Sequence, residues 1–124
     1  MAMRREKISE EKMIHKMPYR IRFEPRKAYG VSLVSGFDDE LDGTCNPNTR
    51  EIKIRLGMSD KATLSALLHE IIHLVNFERS LDITEEQTLG LEQGLLKVLE
   101  LNPELVKLIS EVLAKRERRK STRV

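Results

Sequence analysis

The stretch LLHEIIHLVNFERSLDITEEQ, residues 67–87, decides how this chain is read. It holds two of the three histidines, His69 and His73, with Glu70 directly after the first. At about 100° per residue, positions i and i+4 share one face of a helix. His69 and His73 therefore project in parallel and can grip one metal ion. Glu70 lies beside that face, placed to reach a water on the ion without ligating it. This is the H-E-x-x-H arrangement of zinc hydrolases. The competing reading is an ordinary core helix. Besides the two histidines, Glu70 is the only acid or base between Leu64 and Phe77. Burying these three groups without partners costs several kcal/mol, roughly, which a metal ion avoids.

Zinc takes more than two protein ligands. No histidine follows His73, and position 76 is Asn. Cys45 and His15 lie upstream and stay open as ligands. The remaining source is an acid on the next helix: Glu85, Glu86 or Glu92. Leu89, Leu95, Leu96 and Leu99 set that helix's inward direction, which falls close to Glu85 and Glu92, while Glu86 points some ~100° away from Glu85. Geometry leaves Glu85 and Glu92 level. An acid in a first turn also suits the helix dipole, and Glu92 also suits pairing with a Lys or Arg.

Working outward, Ser59 or Asp60 caps the first helix. Leu64, Leu67, Leu68, Ile71, Ile72 and Val75 are expected to be buried in it, and it runs to about Glu78. Thr84 and Gln87 form a capping box for a second helix that ends near Glu100. Asn102 caps a third, with Pro103 at its first position and an apolar stripe through Leu105, Leu108, Ile109 and Val112. Upstream, Tyr19, Ile21 and Phe23 alternate, as do Val31 and Leu33, and Ile52, Ile54 and Leu56. DDELDGTCNPNTR reads as turn chemistry. Asp38, Glu40, Asp42 and Gly43 imitate the start of a calcium loop, but its twelfth position is Thr49 where a bidentate Glu is required, so calcium is rejected. The expected fold class is α+β: two or three antiparallel strands, then three helices covering one side of the sheet.

The 124 residues, 40% of them hydrophobic, suit one domain. The expected division is a polar arm or short helix over 1–17, the domain over 18–114 and a basic tail over 115–124. No apolar run reaches the ~18 residues of a membrane span, and the charged N-terminus lacks the apolar segment of an export signal. A lone cysteine fits a reducing cytoplasm. The final stretch AKRERRKSTRV carries six basic residues and one acid. A solvated helix end accounts for it better than a nucleic-acid contact.

EIKIRL, LLHEIIH and TEEQTLGLEQGL together resemble the core of small zincin-like metallopeptidases of phages and mobile elements, relatives of the ImmA/IrrE group. The resemblance covers roughly residues 40–105. It implies a minimal zincin fold, with a small, mostly antiparallel sheet packed against the HExxH helix and a peptide-binding edge strand beside the cleft, REIKIRL being one candidate. It also implies Zn²⁺ held by His69, His73 and Glu85, with Thr88 and Glu92 following on the same helix. The chain departs at Glu92, where relatives usually carry Ala; a carboxylate there is either a support for the site or an alternative ligand.

The reaction implied is peptide hydrolysis by metal-activated water, with Glu70 as base and Tyr19, Tyr29, His15 or an Arg as oxyanion donor. The substrate would be a protein or peptide; the oligomeric state stays open. The rival reading is a non-catalytic, metal-stabilised regulatory module contacting protein or nucleic acid, its site closed by Glu92 or Cys45.

Overall fold

Period-two alternation builds a four-stranded sheet: β1 (Arg20–Glu24), β2 (Lys27–Val34), β3 (Gly43–Asn46) and β4 (Glu51–Arg55), in the order β1-β2-β4-β3. The structure is a computed structural model that describes residues 16–38 and 41–122, with side chains described through Lys115. His15, Glu40 and the basic side chains beyond Lys115, all invoked from sequence, lie outside the described residues. Strands β1 and β2 form an antiparallel hairpin, and β3 pairs antiparallel with β4. Strands β2 and β4 run parallel, with Val31 opposite Ile52 and Leu33 opposite Ile54. The sheet is therefore mixed, and the chain is α+β.

Three expectations about the sheet are corrected. The sheet has four strands rather than two or three; it is mostly antiparallel as expected, with β2–β4 its parallel pair because β3 comes between them in sequence and takes the outer place. Strand β3 lies within the stretch read as turn chemistry. The turn is real, but it follows the strand: Asn46 Oδ1 accepts from the amides of Asn48, at 3.0 Å, and Thr49, at 3.3 Å, and Arg50 closes it at φ 56°. Finally, β4 is an interior strand; the edge beside the helix is β3.

One face of the sheet carries Tyr29, Val31, Ile52 and Ile54, all buried, and packs on Ala66, Leu67 and Leu74 of helix α1 (Asp60–Glu78). Leu67 and Ile72 are buried as expected; Leu68, Ile71 and Val75 are half-buried. Leu64 is exposed instead, as are Tyr19 and Leu56. The inward stripe of α1 runs through small side chains, Thr63 and Ala66, which bring the helix close to the sheet.

The ends of α1 are fixed locally. Ser59 is the cap, its hydroxyl accepting from the Ala62 amide at 3.2 Å. At the other end, Leu81 N–H donates to Asn76 O at 2.9 Å and Ser80 N–H donates to Phe77 O at 3.2 Å, while Ser80 adopts φ 51°. These bonds are a Schellman turn with serine in the left-handed position. Glu78, in the last turn, accepts from Lys27 Nζ at 2.6 Å and from Tyr29 Oη at 2.9 Å, tying the helix to β2.

Helices α2 (Glu85–Leu101) and α3 (Pro103–Thr122) follow. The chain divides into two compact units, Met1–Glu92 and Gln93–Val124. The capping box of α2 forms as expected: Thr84 N–H donates to Gln87 Oε1 at 2.9 Å and Gln87 N–H donates to Thr84 Oγ1 at 3.1 Å. Asn102 stands at the cap position of α3, its carbonyl accepting from the Leu105 amide at 3.0 Å and the Val106 amide at 3.4 Å. Its side chain turns the other way and donates to Val98 O at 2.8 Å, closing α2.

The Lys27–Glu78–Tyr29 cluster sets a pH dependence. The Lys27 ammonium and its hydrogen bond hold the Glu78 carboxyl below its ordinary 4.5. Its stabilisation is therefore complete above that value and is lost as pH falls through the lowered one. Burial, with Glu78 adjacent, pushes the Tyr29 phenol from 10.0 up to about 12, so stability is lost as pH rises from 10.0 towards 12. Urea denaturation across pH should show both falls. Tyr29→Phe flattens the alkaline fall, and Glu78→Gln flattens the acid one.

Candidate metal centre

Helix α1 presents His69 and His73 one turn apart, and the loop after it returns the chain so that the first residue of α2, Glu85, meets them. His69 Nε2 lies 2.7 Å from Glu85 Oε1, His73 Nε2 lies 2.9 Å from Glu85 Oε2, and the two Nε2 atoms are 3.2 Å apart. The rings meet edge to face, 4.8 Å between centroids and 72° between planes. Ligands on a tetrahedral ion at ~2.0–2.1 Å would be separated by about 3.3 Å. These contacts, which use both oxygens of Glu85, are slightly shorter than that, and one donor atom from each residue lies within 4.8 Å of the others. Among the described residues, His69, His73 and Glu85 are the group of three that could hold a metal ion.

Glu92 does not join the three. Its Oε1 lies 3.3 Å from His69 Nδ1, on the far side of the ring, and its Oε2 accepts from Ser65 Oγ at 2.7 Å. Each ring nitrogen of His69 thus faces a carboxylate that only accepts, Glu92 at Nδ1 and Glu85 at Nε2; with a metal ion on Nε2, the ring's one proton would sit on Nδ1, facing Glu92. Ser65, Glu92 and His69 form a hydrogen-bonded chain of the kind that orients a ligand at metal sites. Glu92 is only 7% exposed, and these partners account for its burial. On the helical wheel it falls near Glu85, but direction alone does not say which ring nitrogen it meets. The leucines that set that direction are not all inward: Leu89 is exposed, and Thr88 and Glu92 are the buried side chains of α2.

Glu70 is buried on the sheet side of the same helix. Burial pushes its carboxyl up to about 7; His69 pulls it down and Glu85 pushes it up. A cation between His69, His73 and Glu85 would act in the same direction as His69. Gly43 of β3 explains how Glu70 fits: a Cβ at position 43 would stand 3.2 Å from Glu70 Cγ and 3.1 Å from the Lys53 carbonyl oxygen. The strand passes over the helix at a place where a side chain would collide.

Asn76 is the residue sequence reading passed over. Its Oδ1 accepts from the Ile83 amide at 3.2 Å, and its Nδ2 donates to Ile83 O at 3.3 Å. With the Schellman turn, this clamp fixes both ends of the loop that carries Glu85. Its signal was an amide side chain in the last turns of an otherwise apolar helix.

The donors open on a cleft of ≈ 600 Å³, walled by Leu41, Asp42 and Gly43 on one side and floored by Ala62, Ser65 and Ala66. The other named candidates lie elsewhere. Cys45 packs against the core, its thiol pushed up to about 11 by burial and by Glu70. Tyr29 is buried on Glu78, and neither it nor Tyr19 lines the cleft. Among the described residues, no helix is long and apolar enough to cross a membrane. Comparison with protein-family models, with curated proteins and with solved structures gives no match for this chain.

Gly43→Ala should destabilise the protein by roughly 1–3 kcal/mol, the cost of overpacking against backbone. Urea denaturation reads the loss, and an alanine at exposed Gly90, which meets nothing within 4 Å, is the control.

Proposed function

We propose that this protein is a zinc-dependent peptidase in which His69, His73 and Glu85 hold the metal and Glu70 is the general base. The observation that carries the reading is the convergence of three lone-pair donors from two helices, with a buried carboxylate one residue beyond the first. The donor set, two imidazoles and one carboxylate, is the type used by catalytic zinc, which keeps one position for water. Bound zinc would lower the pKa of that water to about 7 and polarise a substrate carbonyl. Glu70 accepts the proton of the attacking water and returns it to the amide nitrogen as the C–N bond breaks. Ser65 and Glu92 hold His69 in the ligating tautomer. Glu85, 69% exposed, forms the open rim.

The placement of Glu92 favours this over a site closed by four protein ligands. Its carboxylate meets Nδ1, so it is spent on orienting His69, and Cys45 belongs to the core. Two features support an extended peptide as substrate. The cleft runs beside β3, and β3 is the sheet's outer strand, paired on one side only with β4. A peptide could add to that edge through backbone hydrogen bonds while its scissile bond lies over the donors.

The test uses zinc-loaded protein and a mixed peptide library read by mass spectrometry. Glu70→Gln should keep the metal and lose turnover by on the order of 10²–10⁴-fold. Cleavage at the wild-type rate would remove the mechanism and leave a metal-stabilised binding module. Glu92→Ala should weaken zinc binding by about 10–100-fold in a chelator competition, because Nδ1 loses its acceptor.

A further inference from the structure

Every described side chain of α3, from Pro103 to Lys115, is exposed to solvent. Leu105, Val106, Leu108, Ile109, Val112 and Leu113 all belong to one face, spanning about 160° of the helix. An apolar face of this width is normally covered. From their fractional exposures, the six leave roughly 500 Å² of apolar surface open; a standard-size interface takes about 800 Å² per partner, about three-fifths of it apolar.

The charges beside this face indicate what covers it. Glu104, Lys107, Glu111 and Lys115 follow one flank in the order minus, plus, minus, plus. When two copies of a helix pack antiparallel about a two-fold axis, each flank meets the same flank of its partner, read backwards. That reversal sets Glu104 against Lys115 and Lys107 against Glu111. The apolar positions obey the same symmetry, Leu105 meeting Leu113, Val106 meeting Val112, and Ile109 at the axis. A parallel pair would instead turn this flank towards the opposite one, which carries Ser110. An anionic membrane surface would select a flank of one sign, and Glu104 and Glu111 oppose that.

We infer that α3 is a self-association helix, joining two copies of the chain antiparallel about an axis near Ile109. Exposed pairs of this kind add little affinity but set orientation. Sedimentation of the full chain at tens of micromolar (roughly, the range for an interface of this size) should give twice the 14.4 kDa chain mass. Ile109→Glu should give a monomer. Glu104→Lys should weaken the dimer by roughly tenfold, and adding Lys115→Glu should restore it. A monomeric wild type overturns the inference. So does a dimer indifferent to Ile109→Glu, which places the interface elsewhere, or a double exchange that fails to restore association, which excludes the antiparallel pairing.

Discussion

Lone pairs facing one another across about 3 Å repel unless positive charge lies between them. That constraint governs the first unit of this protein. A neutral His69 has one N–H for two carboxylates, Glu92 at 3.3 Å from Nδ1 and Glu85 at 2.7 Å from Nε2, and His73 Nε2 stands 3.2 Å from its own Nε2. Protons or a metal ion can relieve the conflict. A divalent ion does so most completely, since it engages all three donors at once, and the proposed chemistry follows from that choice.

The surrounding structure brings the three donors together. The i, i+4 spacing supplies two of them without help. The third depends on the loop between α1 and α2, held by a Schellman turn, the Asn76 clamp and the Thr84–Gln87 capping box. The Glu78 contacts to β2 fix the end of α1 from which this loop departs. On the sheet side, Gly43 lets β3 cross close above Glu70, which gives that carboxylate a dry setting. Stability and site geometry are thus carried by largely the same residues, and a loosened loop would disturb Glu85 before it disturbed the core.

Much of this was legible in the sequence because it rests on local periodicity. The HExxH spacing, the extent of α1, the capping box and strand β4 each follow from residues within one or two turns of each other. The features that escaped depend on contacts distant in sequence. Strand β3 is four residues beside a genuine turn, and only its pairing with β4 makes it a strand. The interior place of β4 is a matter of strand order, to which alternation is blind. Leu64 is exposed because the sheet meets α1 along Thr63 and Ala66. Glu92 is one of two acids on the right side of a helix, and nothing in the sequence says that it meets Nδ1 of His69 while Glu85 meets Nε2.

The central claim is that His69, His73 and Glu85 bind one divalent ion together. Metal analysis of the purified protein, beside His69→Ala, His73→Ala and Glu85→Ala, tests it most directly. The account predicts one equivalent of zinc in the wild type and loss of that equivalent in each variant, with the fold retained by circular dichroism. A wild type that binds no zinc when offered it, or zinc retained at full stoichiometry and affinity in all three variants, would contradict it.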